Sequence, residues 1–142
     1  MLSNTITDDE TIIFKTKYLR ASIGVIGQLN ERCDCSVKAL ANQMNITYDE
    51  SHKQHSTYGR RYAKGTTHKT LRSTYESMGL KCTNYSVGLV KGISVRSFVR
   101  KHSLGRFIVV ISCHAFAVID GKIMDESFVK SLARVKMSWC LH

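Results

Sequence analysis

One stretch, Arg106–Glu126 (RFIVVISCHAFAVIDGKIMDE), limits what this chain can become more than any other. It reads as strand, tight turn, strand, tight turn, strand. Phe107–Ile111 is a continuous apolar run, the pattern of a strand buried on both faces. Asp120-Gly121 between apolar runs is a strong hairpin signal, because a type I′ turn needs positive φ at both central residues. A two-residue turn there pairs Ile119 with Lys122, Val118 with Ile123 and Phe116 with Asp125. His114 would then stand opposite Ser127. In that register His114 and Asp125 share one face as diagonal neighbours, within reach of each other. A histidine beside a carboxylate is a base with an orienting partner, and such a pair calls for a nucleophile elsewhere in the chain.

With 142 residues the chain is expected to form a single domain with one core, residues 1–10 making a loose tail. No apolar run approaches the ~18–20 residues that span a bilayer, and Met1–Lys17 lacks a basic segment followed by an apolar one. Neither a membrane span nor a signal peptide is therefore expected. The five cysteines suit reduced thiols in a cytoplasm better than a disulfide framework. The net charge of +10 favours polyanionic partners, nucleic acid among them, as well as acidic protein surfaces.

Taken in order, Thr11–Tyr18 fits either an edge strand or a short helix, and Ala21–Leu29 either a helix or a glycine-containing loop. Asp34–Met44 is expected to be a helix capped by Asp34, with Val37, Leu40, Ala41 and Met44 on one buried stripe and Asn45 at its left-handed end. Thr47-x-x-Glu50 has the form of a capping box and opens a second helix that runs to Gly59. Thr67 caps a third, His68–Met78, stopped by Gly79. Lys81–Gly92 holds a short strand or a loop. Ser94 caps a fourth helix through Lys101, and Leu132–Leu141 returns to the sheet. Helices come first and an antiparallel sheet follows, an α+β arrangement.

Cys35 is the candidate nucleophile. It sits in the first turn of its helix, where unpaired N–H groups and the positive end of the macrodipole favour a thiolate. His114 would activate it and Asp125 would hold the imidazole tautomer. Cys33, Cys35, Cys113 and His114 fit zinc-ligand spacing poorly, so no metal and no cofactor is expected. Cys113 reads as a turn residue beside the site. His52 is expected to pack partly buried, and His55 and His68 to face solvent. Cys82, Cys140 and Trp139 read as core. For polyanion contact the best candidates are Arg60, Arg61 and Lys64, with Tyr62 among them to stack on a base, and the helix face of Arg96, Arg100 and Lys101.

The runs CDCSVKALANQMNITYDESH, YGRRYAKGTTHKTL and SFVRKHSLGRFIVVISCHAFAVIDGKIMD resemble a family of small papain-like cysteine peptidase homologues, many carried by bacteriophages and their hosts. More distantly the chain is similar to the double-glycine leader peptidases, which share an Asp-Cys helix start and a later His on a strand. The resemblance implies a papain-like fold with N-terminal helices packed on a C-terminal antiparallel sheet. It also implies a peptide or host-protein substrate, with Cys35 as nucleophile, His114 as base and Asp125 as third member. Papain-like enzymes carry an oxyanion-binding Gln about six residues before the Cys. Here Gln28 stands seven before and Asn30 five before, so Gln28 matches that position only loosely. A second expectation stands beside the first: a phage-encoded basic module of this fold that binds a host protein or nucleic acid without catalysis.

Overall fold

The structure is a computed structural model that describes residues 33–61, 64–89, 92–125 and 129–141. The expectations for Met1–Glu10, Thr11–Tyr18, Ala21–Leu29 and Tyr62 lie outside the described residues. Three helices come first: α1 (Cys35–Met44), α2 (Tyr48–Thr57) and α3 (His68–Ser77). Strands β1 (Lys81–Asn84) and β2 (Ile93–Ser94) lead to α4 (Val95–Lys101). Then follow β3 (Arg106–Ile111), β4 (His114–Ile119), β5 (Lys122–Met124), β6 (Arg134–Val135) and β7 (Met137–Cys140).

Five strands form an antiparallel sheet in the order β1-β7-β3-β4-β5, and β2 pairs with β6 separately. β3, apolar from Phe107 to Ile111, is central, as its composition requires. Both hairpins are two-residue turns. Asp120 (φ 50°) and Gly121 (φ 78°) are both left-handed, as a type I′ turn demands. The observed register places Ile119 against Lys122 and Val118 against Ile123. At the other hairpin Ile111 faces His114, and Cys113 takes φ 59°. The returning segment is split. Lys136 lies between β6 and β7, its N–H donating to the Val110 carbonyl at 2.8 Å.

The sheet is covered on both faces, because residues alternate across a strand. One face presents Ile108, Val110, Ala115 and Trp139 to Ala39 and Leu40 of α1 and Leu71 and Tyr75 of α3. The opposite face presents Val109, Phe116, Val118 and Ile123 to Val95, Phe98 and Val99 of α4. The α1 stripe is wider than its periodicity implies. Ser36, Ala39, Asn42 and Gln43 are also buried, because α1 lies between the sheet and α2. Thr47 makes the full capping box with Glu50, and Thr67 and Ser94 cap α3 and α4 through their hydroxyls.

Several expectations need correction. Asp34 precedes α1 but its side chain makes no cap, because its carboxylate is held elsewhere. His55 is fully buried, against the expectation of a surface position, while His52 is buried and His68 exposed, as expected. The α2 stripe rolls far enough toward α3 to bring His55 edge-on to Tyr75. Cys82, on the edge strand β1, and Cys140, at the end of β7 opposite Lys81, are only half-buried. Trp139 is core.

Candidate active site

Cys35 is the first residue of α1 and its thiol is partly buried. The Asp34 carboxylate, which would otherwise cap the helix, accepts from the Tyr48 hydroxyl at 2.8 Å and pairs with Lys38 at 3.4 Å. The helix start therefore lacks a side-chain cap, and its positive end acts on the thiol beside it. Burial alone would raise the Cys35 pKa. Hydrogen bonds from the His114 side chain and the Ala115 N–H, with the imidazolium charge, outweigh both burial and the repulsion of Asp34. The net result is a pKa below the ordinary thiol value of 9.0.

The Ala115 contact follows from strand register. The Asp120 N–H bonds Gly105 on the β3 side, so even-numbered N–H groups of β4 face β3 and odd-numbered ones face β5. Ala115 therefore turns its N–H to the β5 side of β4, beyond the Ala117–Met124 pair. There the Ala115 N–H donates to the Cys35 thiol. The nucleophile arrives with α1 from one face of the sheet. By parity, His114 and Asp125 lie on the other face, with Phe116. They meet at the start of β4, where His114 and Cys35 are hydrogen-bonded.

His114 Nε2 lies 2.5 Å from Asp125 Oδ2, the diagonal pairing that the hairpin register implies. With Nε2 committed to Asp125, Nδ1 is the nitrogen left for Cys35. The hydrogen bond to Asp125, then the one to Cys35, push the His114 pKa up to about 9, against the opposing effect of burial. A lowered thiol and a raised imidazole together favour a thiolate–imidazolium pair at neutral pH. The imidazole also packs at a tilt on Phe116, with ring centroids 5.8 Å apart.

Two clefts flank the pair, and Cys33, Cys35, Cys113, His114 and Ala115 line both. The first, about 230 Å³, continues over Asp34, Lys38, Phe116, Met124 and Asp125. The second, about 360 Å³, continues over Gly65, Thr66, Leu71, Val110, Ile111 and Lys136. Among the described residues no group of three or more His, Cys, Asp or Glu is arranged to hold a metal ion.

The remaining expectations divide. Gln28 and Asn30 lie outside the described residues. Arg60 is corrected: it is buried, 5% exposed, and its guanidinium donates to the Cys33 carbonyl at 3.4 Å, so it supports the segment before Cys35 and offers no surface charge. Arg61 and Lys64 are exposed on the α2–α3 loop, whereas Arg96, Arg100 and Lys101 belong to α4. Cys113 is exposed in its turn beside the site, as expected. Three contributors are absent from the sequence-based expectations, and one of them, Lys38, is readable in the sequence. Ala115 acts through its backbone, which no side-chain motif marks. Tyr48 and Lys38 hold Asp34; the i,i+4 spacing of Asp34 and Lys38 is a readable ion-pair signal, but Tyr48 reaches Asp34 only through the packing of α2 on α1.

A scan against protein-family models, a search of curated proteins and a search of solved structures each found no match to this chain.

Proposed function

We propose that this chain is a papain-like cysteine hydrolase that cleaves a peptide or isopeptide bond through an acyl-thioenzyme. The observation that carries the reading is the contact of one helix-start thiol with a histidine that is itself bonded to a carboxylate. In the proposed cycle the Cys35 thiolate attacks the substrate carbonyl carbon, and the carbonyl oxygen becomes an oxyanion. The Cys35 backbone N–H at the start of α1 is placed to donate to it, with Gln28 as the proposed second donor. Collapse breaks the C–N bond, and His114 gives its proton to the departing amine. Water then attacks the thioester carbonyl while His114 takes a proton from it. The acid leaves and the thiolate–imidazolium pair is restored. Asp125 fixes the ring throughout.

The five free cysteines fit work in a reducing compartment such as a cytoplasm, in a host cell if the gene is carried by a phage. No described helix is long and apolar enough to cross a membrane. The alternative is a non-catalytic basic module on a host protein or nucleic acid. It is favoured by the net charge of +10 and would draw on Arg61, Lys64, Arg96, Arg100 and Lys101. Phosphate-driven binding would show as affinity falling linearly with salt on a log–log plot.

Alkylation of the native protein by limiting iodoacetamide over pH 5–9, with the modified cysteine mapped by mass spectrometry, separates the two. The hydrolase reading expects Cys35 to react first well below the usual thiol range. His114→Ala should then slow it about tenfold for each pKa unit regained. If Cys35 reacts no faster than Cys82 or Cys140, both of which burial raises, the hydrolase reading fails.

A further inference from the structure

The larger of the two clefts has a chemistry that the proposed triad does not use. Its floor is apolar: Leu71 from α3, Val110 and Ile111 from the end of β3, and Ala115 from β4. The hydroxyls in its wall are spent on each other, Ser36 Oγ and Thr66 Oγ1 lying 2.6 Å apart, which reduces their demand for polar partners on a ligand. The exposed His68 also lines the cleft, and beside it the apolar floor leaves a slot suited to a branched aliphatic side chain.

The rim is charged with one sign. Lys136 lines the cleft, and no Asp or Glu lines it among the described residues; the acids of this region, Asp34 and Asp125, line the other cleft. The Lys136 backbone is pinned on two sides. Its N–H donates to the Val110 carbonyl at 2.8 Å, and its carbonyl accepts from the Tyr85 N–H at 2.7 Å and the Ser86 N–H at 3.2 Å. An exposed ammonium on so fixed a stem is placed to meet a carboxylate entering beside the apolar slot.

We propose that this cleft is a substrate subsite for an aliphatic side chain flanked by an acidic one, so that the substrate class is an acidic, aliphatic peptide segment. This rests on the hydrolase reading, since the cleft opens onto Cys35. Lys136 is its specificity-determining residue and Leu71, Val110 and Ile111 form its apolar floor. In the first cleft Lys38 and His114 already face Asp34 and Asp125, so an acidic segment gains less there than beside Lys136 and is directed to the second.

The test is protection of Cys35 from iodoacetamide by synthetic hexapeptides, which needs neither turnover nor knowledge of the scissile bond. Peptides acetylated and amidated at their ends carry Leu or Ile flanked by Glu, the same residues flanked by Lys, or Ser flanked by Glu. A fourth, with a free C-terminus and no acidic side chain, distinguishes a terminal carboxylate from a side-chain one. The Leu/Glu peptide at about 1 mM is expected to slow alkylation about fivefold, the protection that a Kd of about 0.25 mM confers. The Leu/Lys and Ser/Glu peptides should leave the rate unchanged. Lys136→Glu, judged against its own peptide-free rate, should transfer protection to the Leu/Lys peptide. Equal protection by Lys or Ser peptides, protection by the free-acid peptide alone, or none at all would overturn the subsite. Should Cys35 lack selective reactivity without peptide, the hydrolase reading fails and the subsite with it.

Discussion

At the residue scale, the behaviour of the site turns on one imidazole. His114 is held between Asp125 and Cys35, and its pKa of about 9 comes first from the Asp125 hydrogen bond. The sign of the pH dependence follows. The thiolate is present above the lowered Cys35 pKa and the imidazolium below about 9, so the ion pair occupies the window between them. Asp125→Asn removes the largest upward influence. The His114 titration is then expected to move down toward 6.5, and the Cys35 titration up as the imidazolium weakens. Proton NMR of the His114 ring and the pH profile of Cys35 alkylation read the two ends of the window. A His114 midpoint unmoved by the substitution would show that Asp125 does not hold the charge. Asp125 is legible in the amino-acid sequence because hairpin parity is arithmetic. Ala115 is not, because its role is a backbone N–H that meets Cys35 only once α1 has packed on the sheet.

At the element scale, boundaries set by neighbours in sequence are readable. Thr47, Thr67 and Ser94 cap their helices because the groups they serve lie three residues on. Asn45 takes φ 55° at the end of α1 for the same local reason. Asp34 has the same local chemistry as those caps, yet Tyr48 and Lys38 take its carboxylate. Losing the capping box in Thr47→Ala is expected to cost about 1 kcal/mol of stability in urea denaturation. Gly92 is a harsher case. It has φ 98°, and a Cβ there would stand 2.2 Å from the Val135 carbonyl oxygen, across the β2–β6 pair. Gly92→Ala should therefore cost at least about 2 kcal/mol, combining left-handed strain with displacement of β6. A near-neutral result in the same assay would mean that β2 and β6 are not paired in solution.

At the scale of the whole molecule, the sheet is the partition. Its helix-rich face carries α1 and the nucleophile, its other face carries α4, and Trp139 is the largest side chain buried against the first. Trp139 stands across the strands from Cys82 and Ile108, meets Tyr75 edge-on at 5.5 Å, and has Arg72 above its ring. Trp139→Ala is expected to cost about 3–5 kcal/mol. Because Trp139 is the only tryptophan, the variant has to be followed by far-UV circular dichroism rather than by fluorescence. A loss under about 1 kcal/mol would place the stability of the fold on the α4 face instead.

What the amino-acid sequence determined by itself was governed by short-range geometry: turn chemistry at Asp120-Gly121, strand parity, the helix caps at Thr47, Thr67 and Ser94, and from the turn and the parity the approach of His114 to Asp125. Only the tertiary structure decided which faces those elements turn toward each other. It buried His55 and Arg60, took Asp34 from its helix cap, and set the Ala115 N–H against Cys35. It also brought Cys35 to His114 across 79 residues of chain. Such contacts depend on how helices settle on a sheet, which sums many small packing terms that no local pattern records.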